Sequence, residues 1–179
     1  VIMAEPGKTA ELKESAGSVF FDESKTLLVA VINGMPKHIE NSVEVHNLYE
    51  IENVDVGTGN IRFDGSIFIK GNVGENIKLH ATQDIVIGGF VEFATVIAKG
   101  NISVAQGIIG HQTEDEDGDL INSTTVEAQG SVTAQFIQYA DISTSKDLNA
   151  VHYISHSLLN VAGQIWVGNA NKEVPDGKL

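Results

Sequence analysis

The chain has 179 residues, enough for one or two domains, and its 42% hydrophobic and 20% charged content is that of a globular protein. A net charge of −13 argues against DNA or RNA as the main partner, because phosphate binding needs a basic face. There is no cysteine, which excludes a disulfide framework, a thiol nucleophile and a cysteine zinc site, and fits a reducing compartment.

Residues 1–17 are polar and weakly patterned, and read as a linker or flexible end. Ser18-Val19-Phe20-Phe21 and residues 26–32 are separated by Asp22-Glu23-Ser24-Lys25, which predicts a hairpin with a four-residue turn. Residues 27–32 are the longest apolar run, far short of the roughly 20 residues that span a bilayer. No signal peptide is visible. Asn33-Gly34-Met35-Pro36 is a turn signal. Ser42-Val43-Glu44-Val45-His46 alternates, and residues 48–56 continue in strand-like fashion. We expect 18–56 to form a small N-terminal β segment that covers one end of the repeat region, since bare strand edges recruit other chains.

From Ile61 to Val167 the chain repeats. The segments Ser66-Ile67-Phe68-Ile69, Asp84-Ile85-Val86-Ile87, Asn101-Ile102-Ser103-Val104, Ser131-Val132-Thr133-Ala134, Asp147-Leu148-Asn149-Ala150 and Gln164-Ile165-Trp166-Val167 share one pattern of polar, apolar, variable, apolar. They start 18, 17, 30, 16 and 17 residues apart, one period with about 13 extra residues in the third interval. Five residues before each start lies Ile61, Leu79, Val96, Val126, Ile142 or Leu159. Three before lies Phe63, Ala81, Ala98, Ala128, Thr144 or Val161. These columns alternate with polar residues, the signature of a strand with one face inside. One before lies Gly65, Gln83, Gly100, Gly130, Lys146 or Gly163, mostly glycine, as expected where the chain turns a corner with positive φ. A further apolar column comes about seven residues after the start: Val73, Val91, Ile108, Ile137 and Ile154. Three short strands per turn, none able to bury its own core, predict an all-β fold, a single-stranded parallel β-helix of about 16–18 residues per coil. We place it at 57–168, with six recognisable coils and an acidic insertion at 110–122. Residues 169–179 have lost the repeat and read as an irregular tail. The chain begins at Val1 rather than Met and its tail stops abruptly, so we expect a piece of a longer protein.

The run Val56-Gly57-Thr58-Gly59-Asn60-Ile61-Arg62-Phe63-Asp64-Gly65-Ser66-Ile67-Phe68-Ile69-Lys70-Gly71-Asn72-Val73 resembles the opening motif of the bacterial flagellar assembly protein A family. There a Ser/Thr-Gly-Asn-Ile segment leads into Phe-x-Gly and then the β-helix. Ala98-Lys99-Gly100-Asn101-Ile102 and Ala128-Gln129-Gly130-Ser131-Val132 are similar to its recurrent corners. The resemblance covers roughly 18–168. It implies a cytoplasmic, non-enzymatic bacterial protein linked to flagellar assembly, and it supplies no catalytic residue.

A left-handed hexapeptide helix, as in acyltransferases, competes through the spacing of six in Ile61, Ile67, Val73, Leu79, Ile85, Val91 and Ile97. The spacing drops to five at Ile97 to Ile102. The residue after each apolar one should be small, yet it is Arg62, Phe68, Gly74, His80, Val86 and Glu92. We therefore favour a right-handed helix.

Candidate sites are few. His111 opens the insertion and could act as a general base, but no partner for it can be identified in the sequence. Glu114, Asp115, Glu116, Asp117 and Asp119 form an acidic loop. Its Asp spacing is reminiscent of a calcium loop but lacks the glycine placement and closing Glu of an EF-hand, so it reads as a solvated charge run. His152 and His156 are four apart but lie on a strand and a corner, a poor basis for zinc. Trp166 sits between two inward positions and should point outward, in one column with Phe68 and Val86. These three are the candidate partner-binding residues.

We expect a scaffold or adaptor in flagellar assembly, with no catalytic residue, metal or cofactor. Its partners would be proteins of the flagellar or polar machinery, in the cytoplasm and at the flagellated pole, with self-association possible through sheet faces or coil ends. The alternatives are a β-helix enzyme, either a hexapeptide-type acyltransferase or a polysaccharide-active one, and a self-polymerising cytoskeletal filament. The only arginine is Arg62, too little for a polyanionic sugar.

Overall fold

The computed structural model describes residues 11–21, 23–114 and 119–168. The chain divides into two compact units, Val1–Leu48 and Tyr49–Leu179. In the first, Ser18–Phe20 pairs antiparallel with Leu28–Ala30, and Met35–Ile39 pairs antiparallel with Ser42–His46. The expected hairpin is there. The expected turn at 33–36 is shorter than the sequence implies, because Met35 and Pro36 are already paired with His46 and Val45. Among the described residues Met35–Ile39 has no second pairing neighbour, an edge position where proline costs no ladder bond.

The second unit is a parallel β-solenoid of about seven turns, and among the described residues it contains no helix. Each turn contributes to three faces. The first face stacks Leu48–Ile51, Ser66–Ile69, Ile85–Ile87, Ile102–Val104, the start of Val132–Gln138, the start of Leu148–Ser155, and Ile165–Val167. The narrow second face carries Val54, Val73, Val91, Ile108, Ile137 and Ile154. The third stacks Ile61–Phe63, Lys78–Ala81, Thr95–Ala98, Thr124–Ala128, Ala140–Thr144 and Leu158–Val161. The inward columns seen in the sequence are the ladders of the structure. Ile61, Leu79, Val96, Val126, Ile142 and Leu159 lie side by side on successive rungs. Ile67, Ile85, Ile102 and Leu148 are fully buried, as are Ile87, Ile108 and Ile137. Seven rungs at about 4.8 Å give a stack about 29 Å long.

The sequence count of six coils misses the first rung, Leu48–Ile51, whose next corner is longer than the others. It holds an Asp55 turn, with Oδ1 accepting from Gly57 N–H (2.8 Å) and Thr58 N–H (3.1 Å).

The corner glycines have a different cause from the one expected. Of the six positions before the first face, only Gly65 has positive φ. At Gly100, Gly130 and Gly163, an Asp or Asn on one coil accepts from a backbone N–H on the next. Asp84 Oδ1 takes Asn101 N–H (2.7 Å), Asn101 Oδ1 takes Ser131 N–H (2.9 Å), and Asp147 Oδ1 takes Gln164 N–H (2.9 Å). The reaching oxygen occupies the space of a side chain on the coil above. A Cβ on Gly100 would lie 2.3 Å from Asp84 Oδ1, and one on Gly130 or Gly163 would lie 2.4 Å from the matching oxygen of Asn101 or Asp147. Where the lower coil offers Ser66 or Ser131 instead, the position above carries Gln83 or Lys146. The corner after the first face obeys the same rule. Asn53 caps Asn72 N–H beneath Gly71, and Asn72 caps Phe90 N–H beneath Gly89 (2.9 Å each). Phe90 caps nothing, and the position above it is Gln106.

This relay predicts a coupled pair. Gly130→Ala should cost about 1–3 kcal/mol by overpacking, and Asn101→Ser about 1 kcal/mol for the lost bond. The double variant should be more stable than the sum by about 1 kcal/mol or more in urea denaturation. Strict additivity would mean that Gly130 is held by something other than Asn101.

Candidate functional site

A β-solenoid displays its chemistry in outward columns, because successive side chains alternate in and out and like positions stack. On the first face the outward column reads Phe68, Val86, Ser103, Thr133, Asn149 and Trp166. Trp166 is 54% exposed and Val86 40% exposed, while Phe68 is half-buried. Phe68 and Val86 are direct neighbours, but Trp166 is five rungs from Phe68, about 24 Å. One partner contact of ordinary size could not centre on both, so the column carries two apolar patches with small polar residues between them. Lys70 borders the lower patch, holding Glu52 (2.7 Å) and Glu50 (3.1 Å), and the hydrogen bond to Glu52 does most to raise its pKa. Ile165 and Val167, which flank Trp166 and continue inward columns, are half exposed.

The acidic insertion is an antiparallel two-stranded arm rather than an open loop. Gln112–Glu114 pairs with Leu120–Asn122. Glu114 is exposed at the end of one strand and Asp119 stands just before the other; Asp115, Glu116 and Asp117 lie outside the described residues. The base of the arm is closed by Ser123 N–H on His111 O (3.0 Å) and His111 N–H on Ser123 Oγ (2.9 Å). Ser123 Oγ also meets His111 Nδ1 at 3.2 Å. The partner that the sequence could not identify is therefore a serine that fastens the arm. The His111 ring packs edge-on against Phe93, with centroids 4.6 Å apart.

The arm starts at the corner between the second and third faces. Asn76, Phe93, Tyr139 and His156 occupy this corner on four coils, and all have φ between 48° and 60°. Gly110 pairs with Tyr139, and Thr124 pairs with Ala140. Residues 111–123 are therefore the extra segment, and removing them leaves a coil of the usual length.

Aromatic rings line both edges of the narrow second face. Phe90, Phe136 and Tyr153 run along one edge, with centroid distances of 6.4 and 5.2 Å, and Tyr139 stacks on His156 at 4.7 Å along the other. Phe136 fits because its neighbour is Gly107, where a Cβ would lie 2.4 Å from the ring. These rings stack mainly on one another. His152 is exposed on its strand and His156 is committed to Tyr139, so the two do not converge. Among the described residues no three His, Asp or Glu side chains gather as a metal site would require.

The third face carries outward columns that the sequence pattern did not single out. They are Asn60, Lys78, Thr95, Thr125, Asp141, Leu158 and, two residues on, Arg62, His80, Ile97, Glu127, Ser143, Asn160. The same alignment that gave the inward columns contains them. A groove of about 440 Å³ runs between the arm and this face, lined by Leu120, Ile121, Asn122, Asp141, His156 and Leu158. Asn122 Nδ2 donates to Asp141 Oδ1 at 2.7 Å.

These features define a class: a repeat protein that offers long flat β faces, shallow grooves and one inserted arm, with side-chain chemistry spread along columns instead of gathered in a pocket. Residues 47–179 match the family described as the Flagellar Assembly Protein A beta solenoid domain, and the chain belongs to that family. Membership ties it to flagellar assembly. No match to a curated protein or to a solved structure was found. No helix among the described residues is long and apolar enough to cross a membrane.

Because the arm lies outside the ladder, joining Gly110 directly to Thr124 should leave a folded solenoid. We expect the urea midpoint of the shortened chain to fall by less than the equivalent of about 2 kcal/mol, the loss being mainly the Phe93–His111 and Asn122–Asp141 contacts. Collapse of the cooperative transition would show that the arm is part of the folding unit.

Proposed function

We propose that this solenoid is a non-enzymatic scaffold or adaptor in flagellar assembly, working in the cytoplasm at the flagellated pole and binding protein partners through its flat faces. The observation that carries the reading is the first face. It is a seven-rung sheet with apolar side chains exposed at two places, Phe68 with Val86 and Trp166 with its neighbours. Exposed aromatic side chains on a rigid sheet are the kind of anchor that dominates protein–protein binding. A rigid stack also holds two such anchors at a fixed separation, which is what an adaptor needs to seat two partners at once. Ser123 and His111, the pair that includes the sequence's candidate base, form an exposed contact that is spent on closing the arm.

The whole chain, used as bait in a lysate of a flagellated bacterium, tests this. Mass spectrometry should identify a component of the flagellar or polar machinery on the wild-type bait. Phe68→Ala with Val86→Ser, or Trp166→Ala, should weaken its capture by about thirtyfold, the effect of removing one hot spot worth about 2 kcal/mol. Testing the two patches separately shows which one serves that partner. A wild-type bait that retains no flagellar component above the bead control would sink the adaptor reading.

A further inference from the structure

The third face is charged in a pattern that complements itself. Its lower rungs carry Arg62, Lys78 and, at the corner, Lys99, with Asp64 two coils below Lys99 in the same column, while its upper rungs carry Glu127 and Asp141. None of Arg62, Lys78, Lys99 and Glu127 forms an ion pair among the described residues. Between and around them are Thr95, Ile97, Thr125 and Ser143, short or half-buried side chains that let another flat sheet come close. We propose that this face binds a second copy of the chain, through a two-fold axis that runs parallel to the strands and passes between Thr95–Ala98 and Thr124–Ala128.

The choice of axis comes from the columns. A two-fold axis along the solenoid would set each rung opposite itself and exchange the two outward columns, so that Lys78 would meet His80 and Asp141 would meet Ser143, with no opposite charges brought together. An axis along the strands reverses the order of the rungs and keeps each column in place. The second rung then faces the fifth, so Lys78 meets Asp141 of the other copy. The third rung faces the fourth, so Thr95 meets Thr125, and Lys99 comes beside Glu127. Each pairing occurs twice, as an isologous interface demands. At the ends, Leu158 lies opposite Asn60 and next to the methylene stem of Lys78, which can cover it while the ammonium reaches Asp141. Asp141 keeps one oxygen on Asn122 and lines the groove beside the arm, half exposed. Six rungs at about 4.8 Å and strands of about five residues give roughly 500 Å² on each copy, close to the lower limit of about 1,000 Å² in total for a specific contact. An interface of that size, resting on charge pairs near its rim, should be reversible and sensitive to salt.

Sedimentation equilibrium of the full chain measures this directly. The 19.1 kDa chain should show a monomer–dimer equilibrium whose dissociation constant rises at least tenfold between about 50 mM and 500 mM salt. Lys78→Glu alone and Asp141→Lys alone should each weaken the dimer at least tenfold. An equimolar mixture of the two should dimerise again, because the acidic side chain introduced at position 78 of one variant then faces the basic side chain introduced at position 141 of the other. Lys99→Glu and Glu127→Lys, both at exposed positions, provide a second reciprocal pair if a change at Asp141 harms folding. A wild-type chain that stays monomeric up to about 0.1 mM overturns the proposal. So does a dimer indifferent to Lys78→Glu, which would place the contact on another face or at an end of the stack, and so does failure of both mixtures to recover.

Discussion

An oxygen of Asp or Asn that reaches from one coil to a backbone N–H of the next is the interaction on which this solenoid depends. At a corner the strand ladder breaks, and the N–H that opens the next strand would be left without a partner at a cost of about 1–3 kcal/mol. Asp84, Asn101 and Asp147 supply the missing acceptor before the first face, and Asn53 and Asn72 supply it after that face. The same oxygen fills the volume above it, so the next coil must have glycine there. Acceptor and glycine are thus one device shared by two coils. This is why the two residue types appear together, and why Gln83, Lys146 and Gln106 stand where the coil below lacks the acceptor.

Holding the corners in register leaves the faces free. Inside, the stacked Ile, Leu, Val and Ala columns need only be apolar and of compatible size, and their burial supplies the main driving force. Outside, each coil can vary without disturbing the stack. The third corner tolerates a left-handed residue on four coils, with Phe93, Tyr139 and His156 among them, a conformation that costs such side chains about 1–3 kcal/mol. Stacking of Tyr139 on His156 and of Phe93 on His111 offsets part of that. It is also the corner where the arm begins, with Gly110 at the bend. A bend already imposed by the rungs above and below is a place where chain can be added without changing the direction in which the strands enter and leave.

Much of this fold is legible in the sequence, for a physical reason. Inward columns repeat with the same residue type because each packs on its counterpart, so Ile61 through Leu159 and Val73 through Ile154 align on one period. The first rung is not legible, since it opens on Leu48 where the other rungs open on a polar residue, although Tyr49 and Ile51 lie 18 residues before Ile67 and Ile69. Positive φ is the wrong reason for Gly100, Gly130 and Gly163, because the need arises from a residue on another coil and is invisible within one repeat. The arm looks like a charge run because its two strands satisfy only each other and show no inward column. The site is less legible than the fold. Phe68, Val86 and Trp166 do share a column, but a column is about 24 Å long between its ends, and alignment gives order without proximity.

That distinction between order and proximity also separates what the faces can do. An outward column is a ruler: residues on it keep fixed spacings of about 4.8 Å, whatever their chemistry. Apolar groups at the two ends of the first face, with Ser103, Thr133 and Asn149 between them, suit two separate contacts held apart. Opposite charges segregated along the third face suit a single contact that must be in the correct register, since a shift by one rung moves Lys78 away from its counterpart. The second face is edged by rings that stack on each other, with Tyr153 and His156 still exposed. One repeating frame thus separates spacing and register onto two sides, and it can do so because the Asx–glycine corners set the rung height without reference to any outward side chain.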